Sequence, residues 1–303
     1  MSSPGLKSAT MGIQLPGMGQ GIARAKDHWF WRAVLFPVVF TRPAQTLVIY
    51  FSRIFPEFAG SNPPVWDFQL KHLLSAWASW DSGWYLSIIK EGYALSGPVS
   101  QVQSNIAFYP LYPYLVKIVS WPVYSLIPKD MVLIGFGVLL ANCFLLGAMY
   151  LLYKLITLVF SDVELAERSI LYMLVFPTAF YFSCFYTEST FLFFAVASFY
   201  FAKTNKWLLA SLMAALASLS RPLGVTIVVP LVFMYLEAAG WNFRKLRPDF
   251  LLLGLAPAAL LLYMIGLYPV TADFLAIFNN TSGLGKGLCQ PDRCDFLPAL
   301  ARV

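Results

Sequence analysis

Charge is what this chain has least of. Asp, Glu, Lys and Arg make up 12% of its 303 residues, about half the roughly 25% of an ordinary soluble domain. No stretch is long and polar enough to form a separate soluble domain. Histidine is almost absent: His28 and His72 stand alone, and no His/Cys spacing suits a zinc centre, which argues against a zinc hydrolase and leaves no metal expected. Of the four cysteines, Cys143 and Cys184 fall in apolar runs and read as small packing residues, while Cys289 and Cys294 would pair only in an oxidising compartment. There is no phosphate-binding glycine loop and no serine nucleophile elbow. No apolar/polar alternation marks the strands of a membrane barrel.

Apolar sequence fills the space. The chain is 59% hydrophobic with mean hydropathy +0.67, the composition of an all-α polytopic membrane protein. The net charge of +6 does not point to nucleic acid, because the basic residues gather beside apolar runs: Lys7, Arg24, Lys26 and Arg32 before the first, and Arg244, Lys245 and Arg247 before the last. That is the positive-inside distribution. Residues 1–32 are therefore expected to be a cytoplasmic N-terminus, Gly/Ser/Pro-rich and disordered over 1–20. Residues 33–268 form the membrane domain, including an outer loop at 56–105, and residues 269–303 form an outer-face tail.

Apolar runs occupy 33–55, 106–127, 131–153, 169–202, 207–240 and 250–268. Runs 169–202 and 207–240 are each too long for one crossing, which needs about 20 residues. Each is broken by polar residues, the first at Glu188 and the second at Arg221-Pro222. Lys203, Lys206 and the Arg244–Arg247 cluster orient the breaks, so that Asp81, Glu188, Arg221 and Asp273 all fall on the outer side. Parity then requires one run between Asp81 and Glu188 not to cross. Run 106–127, with Pro110, Pro113 and Pro122, is the candidate. Short surface helices are expected at 69–78 and 84–90.

Carboxylates and cations at a membrane edge are costly and mark functional sites. Asp81 lies in Trp80-Asp81-Ser82-Gly83-Trp84-Tyr85, either as a helix N-cap or as a general base walled by aromatics. Phe108-Tyr109-Pro110-Leu111-Tyr112-Pro113 reads as an interfacial belt or as the wall of a lipid groove. Glu188 in Tyr186-Thr187-Glu188-Ser189 is a polar turn or a site carboxylate. Arg221 in Ser220-Arg221-Pro222-Leu223-Gly224 snorkels to headgroups or holds a phosphate. Asp273 in Asp273-Phe274-Leu275-Ala276 caps a surface helix or joins the site, and Asn279 and Asn280 each begin a glycosylation sequon.

These motifs, with Gly92-Tyr93 and Phe176-Pro177-Thr178-Ala179-Phe180, run in an order that resembles the PIG-V-type mannosyltransferases, the family of the second mannosyltransferase of GPI-anchor synthesis and its bacterial relatives. The resemblance implies a GT-C fold with its active site on the lumenal or periplasmic face. It implies a polyprenyl (dolichyl-type) phosphate sugar as donor, a lipid-linked or glycan acceptor, surrounding membrane lipids, and Asp81 as catalytic base. Substrate contacts are then expected from Trp80, Trp84, Tyr85, Lys90, Tyr109, Tyr186, Glu188, Arg221 and Asp273, with Arg221 or Lys90 facing the leaving phosphate. No cofactor is expected. Family members run longer, so the chain reads as a fragment or a short relative. The lack of lumenal elaboration favours a bacterial inner membrane over the endoplasmic reticulum. A transporter or flippase of a lipid-linked substrate is the rival reading; its signature is an inverted repeat, which the sequence does not display.

Overall fold

A computed structural model describes residues 28–54, 73–74, 76–95, 104–242, 244 and 246–279, and within them the regular structure is helical, with no strand. The N-terminal 1–20 segment, most of loop 56–105 and the tail with Asn280, Cys289 and Cys294 lie outside the described residues. Helix α1 (Phe36–Ile54) continues a π turn at Trp31–Leu35. It is followed by α2 (Ser82–Glu91), α3 (Leu111–Tyr124) and α4 (Asp130–Phe160). Next come α5 (Val163–Val175), α6 (Glu188–Lys203) and α7 (Trp207–Ser218). The last two are α8 (Val228–Ala238) and α9 (Leu255–Thr271).

Among the described residues, three helical segments are each long and apolar enough to cross a bilayer: Trp31–Ser52, Asp130–Phe160 and Pro248–Thr271. The protein is an all-α polytopic membrane protein. Helix α3 has 14 residues, about 21 Å of rise against roughly 30 Å of hydrocarbon, so the proline-rich run does not reach across by itself. Helix α4 is longer than the apolar run that signals it. Its Lys154 does not end the helix, because the ammonium lies 5.2 Å from the ring centre of Trp29 and its stem stays in apolar surroundings.

Both long runs break at prolines. Phe176, just before Pro177, is extended (ψ 140°), which stops α5. A 3-10 segment at Pro177–Ser183 follows and meets α6 at a bend of 91°. The break leaves carbonyls without helical partners, and α1 supplies the donors. Arg42 donates to Leu174 O (3.1 Å) and Ala179 O (3.0 Å), and Gln45 donates to Leu174 O (3.1 Å). The second break is the 3-10 segment Pro222–Ile227. A Cβ on Gly224 would lie 2.2 Å from Ala217 O, so only glycine lets this segment fold back onto α7.

Ion pairs mark the two ends of the bundle. Arg32–Glu167 (2.6 Å) and Lys203–Glu237 (3.7 Å) join helices at one end. Lys90–Asp130 (3.1 Å) and Arg221–Glu188 (2.8 Å) join them at the other. The first end also carries Lys206, Arg244 and Arg247.

Candidate active site

At the end opposite those basic residues, the breaks before α6 and after α7 meet the start of α2 around a cavity of about 160 Å³. Asp81, Tyr85, Phe108, Tyr109, Tyr186, Glu188 and Arg221 line it, with Ala107, Thr187, Ser220 and Pro222. Motifs more than a hundred residues apart in sequence thus share one wall. The volume lies below the roughly 300–1,000 Å³ of drug-sized pockets, so it admits one small polar group and not a lipid chain.

Asp81 occupies the N-cap position of α2, yet its carboxylate makes no capping hydrogen bond. The carboxylate is therefore not committed to the helix start, the use for which an N-cap aspartate is ordinarily chosen. The residue is exposed at the mouth of the cavity. Surrounding protein still displaces enough water to hold its carboxyl above the ordinary aspartate value.

The backbone that carries Asp81 is pinned from segment 185–187. Phe185 N–H donates to Trp77 O (2.9 Å), and Ser82 Oγ donates to Phe185 O (3.4 Å). Tyr186 brackets the turn with its hydroxyl, donating to Ser79 O (2.7 Å) and accepting from Asp81 N–H (3.3 Å). Between those two bonds sits Trp80 at φ +49°, a left-handed conformation unfavourable for a residue with a Cβ. Segment 185–187 is itself seated by Phe185, whose ring fills the space that a Cβ on Gly137 of α4 would need (2.1 Å).

Arg221 donates to Glu188 Oε1 at 2.8 Å, with side-chain exposures of 38% and 24%. This pair keeps the guanidinium at the cavity and leaves its other N–H groups free to meet an anion. Glu188 Oε2 and the Tyr109 hydroxyl are buried without partners among the described residues, so the cavity edge offers both an acceptor and a donor to a bound polar group.

The other expected contacts lie elsewhere. Trp84 stacks on Phe108 at 5.9 Å and so backs the wall from behind. Trp80 is 72% exposed, with Tyr181 at 6.2 Å. Lys90 lies at the far end of α2, paired with Asp130. Asp273 accepts from Leu275 N–H (2.8 Å) and Asn279 Nδ2 (2.7 Å), the cap arrangement, and is not among the cavity's lining. Among the described residues, no three His, Cys, Asp or Glu side chains come together as a metal would require.

Two residues were missed from sequence. Arg42 stands out only as a cation in the middle of the first apolar run, away from Arg53 near that run's end. Asn105 is buried; it accepts from Ala94 N–H (3.1 Å) and donates to Gly92 O (2.9 Å) and Ser87 (3.1 Å), closing the chain after α2. Its signal is an amide beside the aromatic 108–114 motif.

No curated protein and no solved structure matches the chain. A family model described as Mannosyltransferase (PIG-V) matches residues 9–279. That span includes every residue lining the cavity, and the chain belongs to the PIG-V mannosyltransferase family of membrane glycosyltransferases.

Proposed function

We propose that the cavity transfers a mannosyl group from a polyprenyl-phosphate carrier to a hydroxyl of a lipid-linked or glycan acceptor, in the manner of GT-C enzymes. Asp81 removes the proton from the acceptor hydroxyl. The oxygen bonds to the anomeric carbon as that carbon's bond to the phosphate oxygen breaks. Polyprenyl phosphate leaves with the electron pair. The leaving group is already ionised, so it needs cationic stabilisation more than a proton. Arg221 provides it, and Glu188 fixes the direction of the guanidinium. Tyr109 and the free Glu188 oxygen are placed to meet sugar hydroxyls. The carrier's chain lies outside the cavity, against apolar helix surface.

The cavity is assigned to the lumenal or periplasmic face. Support for that side is the clustering of Arg32, Lys203, Lys206, Arg244 and Arg247 at the other end of the bundle, where the positive-inside rule puts the cytoplasm. The observation that carries the whole reading is Asp81 at an N-cap position, uncommitted to the cap, in one cavity with an oriented arginine.

Membranes containing the chain are incubated with labelled polyprenyl-phosphate mannose and an acceptor extract. Asp81→Asn should reduce transfer by about 10²–10⁴-fold, the contribution of a positioned base, at unchanged expression. Transfer at the wild-type rate by that variant would refute the assignment of Asp81 as base.

A further inference from the structure

A second cavity among the described residues is larger than the one described above. It lies at the basic end and measures about 480 Å³, within the range of sites that hold a small ligand. The α6–α7 turn (Asn205, Trp207), the end of α8 (Ala238–Gly240) and Tyr235 form its walls, together with Arg247 and Asp249. Three helix ends therefore surround it at one level. Arg247 and Asp249 flank Pro248, the first residue of a membrane-spanning segment, so the cavity sits at headgroup depth.

Its charges are arranged for a ligand with two poles. Arg247 and Asp249 line the same space, but no ion pair joins them, and the Arg247 guanidinium has no partner among the described residues. Asp249 uses Oδ1 to accept from the Tyr235 hydroxyl, which fixes the carboxylate and leaves Oδ2 uncommitted. Trp207 packs on Tyr235 at 4.5 Å, forming an aromatic wall beside the carboxylate. A guanidinium suits a phosphate, and a carboxylate beside aromatic rings suits an ammonium. An anion alone would leave Asp249 repelling it, and a cation alone would leave Arg247 unused.

We propose that this cavity binds the headgroup of a zwitterionic phospholipid, its phosphodiester at Arg247 and its primary ammonium at Asp249. The binding site is separate from the Asp81 cavity and does not depend on the transfer reaction proposed for it. A lipid is favoured over a free phosphoester because the cavity opens at the end of a spanning segment, where a headgroup is delivered by the bilayer.

The test is native mass spectrometry of the purified full chain in detergent, titrated with phosphatidylethanolamine, phosphatidylglycerol or soluble phosphoethanolamine. Phosphatidylethanolamine should bind about tenfold more tightly than phosphatidylglycerol, which lacks the ammonium and so loses one charged hydrogen bond. Asp249→Asn should abolish that preference while phosphatidylglycerol still binds. Arg247→Gln should weaken both lipids. Size-exclusion profiles matching the wild type establish that each variant is folded. Equal binding of the two lipids by the wild type overturns the proposal, as does wild-type phosphatidylethanolamine binding by both variants. Soluble phosphoethanolamine binding as tightly as the lipid overturns the lipid source.

Discussion

Tyr186→Phe removes one oxygen and nothing else, and the geometry gives that oxygen a specific task. It holds the peptide groups on either side of Trp80 through bonds of 2.7 Å and 3.3 Å. Two neutral hydrogen bonds contribute about 2 kcal/mol together. A non-glycine residue in the left-handed region costs about 1–2 kcal/mol. The two quantities are nearly equal, so the hydroxyl accounts for most of what keeps Trp80 at φ +49°. Without it the turn relaxes, and Asp81, the next residue, moves with it. A displacement near 1 Å costs about 10²-fold in rate. The variant should therefore show kcat reduced by about 10- to 100-fold with KM nearly unchanged, since the cavity wall itself is intact. The fold should survive, because the ring still packs against Tyr85 (6.3 Å) and Tyr181 (5.9 Å). Steady-state transfer assays with intrinsic-fluorescence melting measure both quantities. An unchanged kcat in a folded Tyr186→Phe enzyme would refute the idea that this hydroxyl positions the carboxylate.

Other consequences follow from the same geometry. The acid limb of kcat/KM should titrate above the usual aspartate value of about 3.9, since burial raises Asp81; it should vanish in Asp81→Asn, and a limb retained there would assign it to another group. Stability runs the opposite way: the folded state holds that proton more tightly, so melting temperature contributed by Asp81 falls as pH rises from about 3.9 through its folded-state value. Arg221→Lys should lower kcat by about 10²–10³-fold if the forked guanidinium stabilises the departing phosphate, and Glu188→Gln should lower it less, because the pair is partly exposed and screened; equal effects would place both roles on the pair as a unit. Gly224→Ala should destabilise the protein by about 1–3 kcal/mol through overlap with Ala217 O, read as reduced yield and earlier unfolding in detergent.

Which parts of this were legible in sequence depended on how local their cause was. The second helix break was legible because its cause is adjacent, Pro222 with Gly224 after α7; the first was expected at Glu188, but it opens at Pro177, and Glu188 instead begins the next helix. The grouping of Asp81, Glu188 and Arg221 was legible because crossings alternate, so basic residues fix the parity of every polar break. The end of α4 was misjudged at 153 because Lys154 reads as a terminus until Trp29 is seen beneath it. Lys90 was assigned to the site because Asp130 lies forty positions away in sequence, and nothing local announces their pairing. Tyr186 lines the cavity as its motif suggests, but its bonds to Ser79 and Asp81 were not legible, because a tyrosine's sequence neighbours do not tell where its hydroxyl points.

The donors that α1 lends across the bundle bear on how this protein can be dissected. Arg42 and Gln45 complete the polypeptide links of a distant segment that leads directly into Tyr186 and Glu188. The first crossing is consequently not an interchangeable tether. A chimera whose opening span is a generic leucine helix would still insert, but its interior would hold carbonyls that neither lipid nor protein could satisfy. Such a graft loses the shape of the Asp81 cavity's rim without altering a single residue of it.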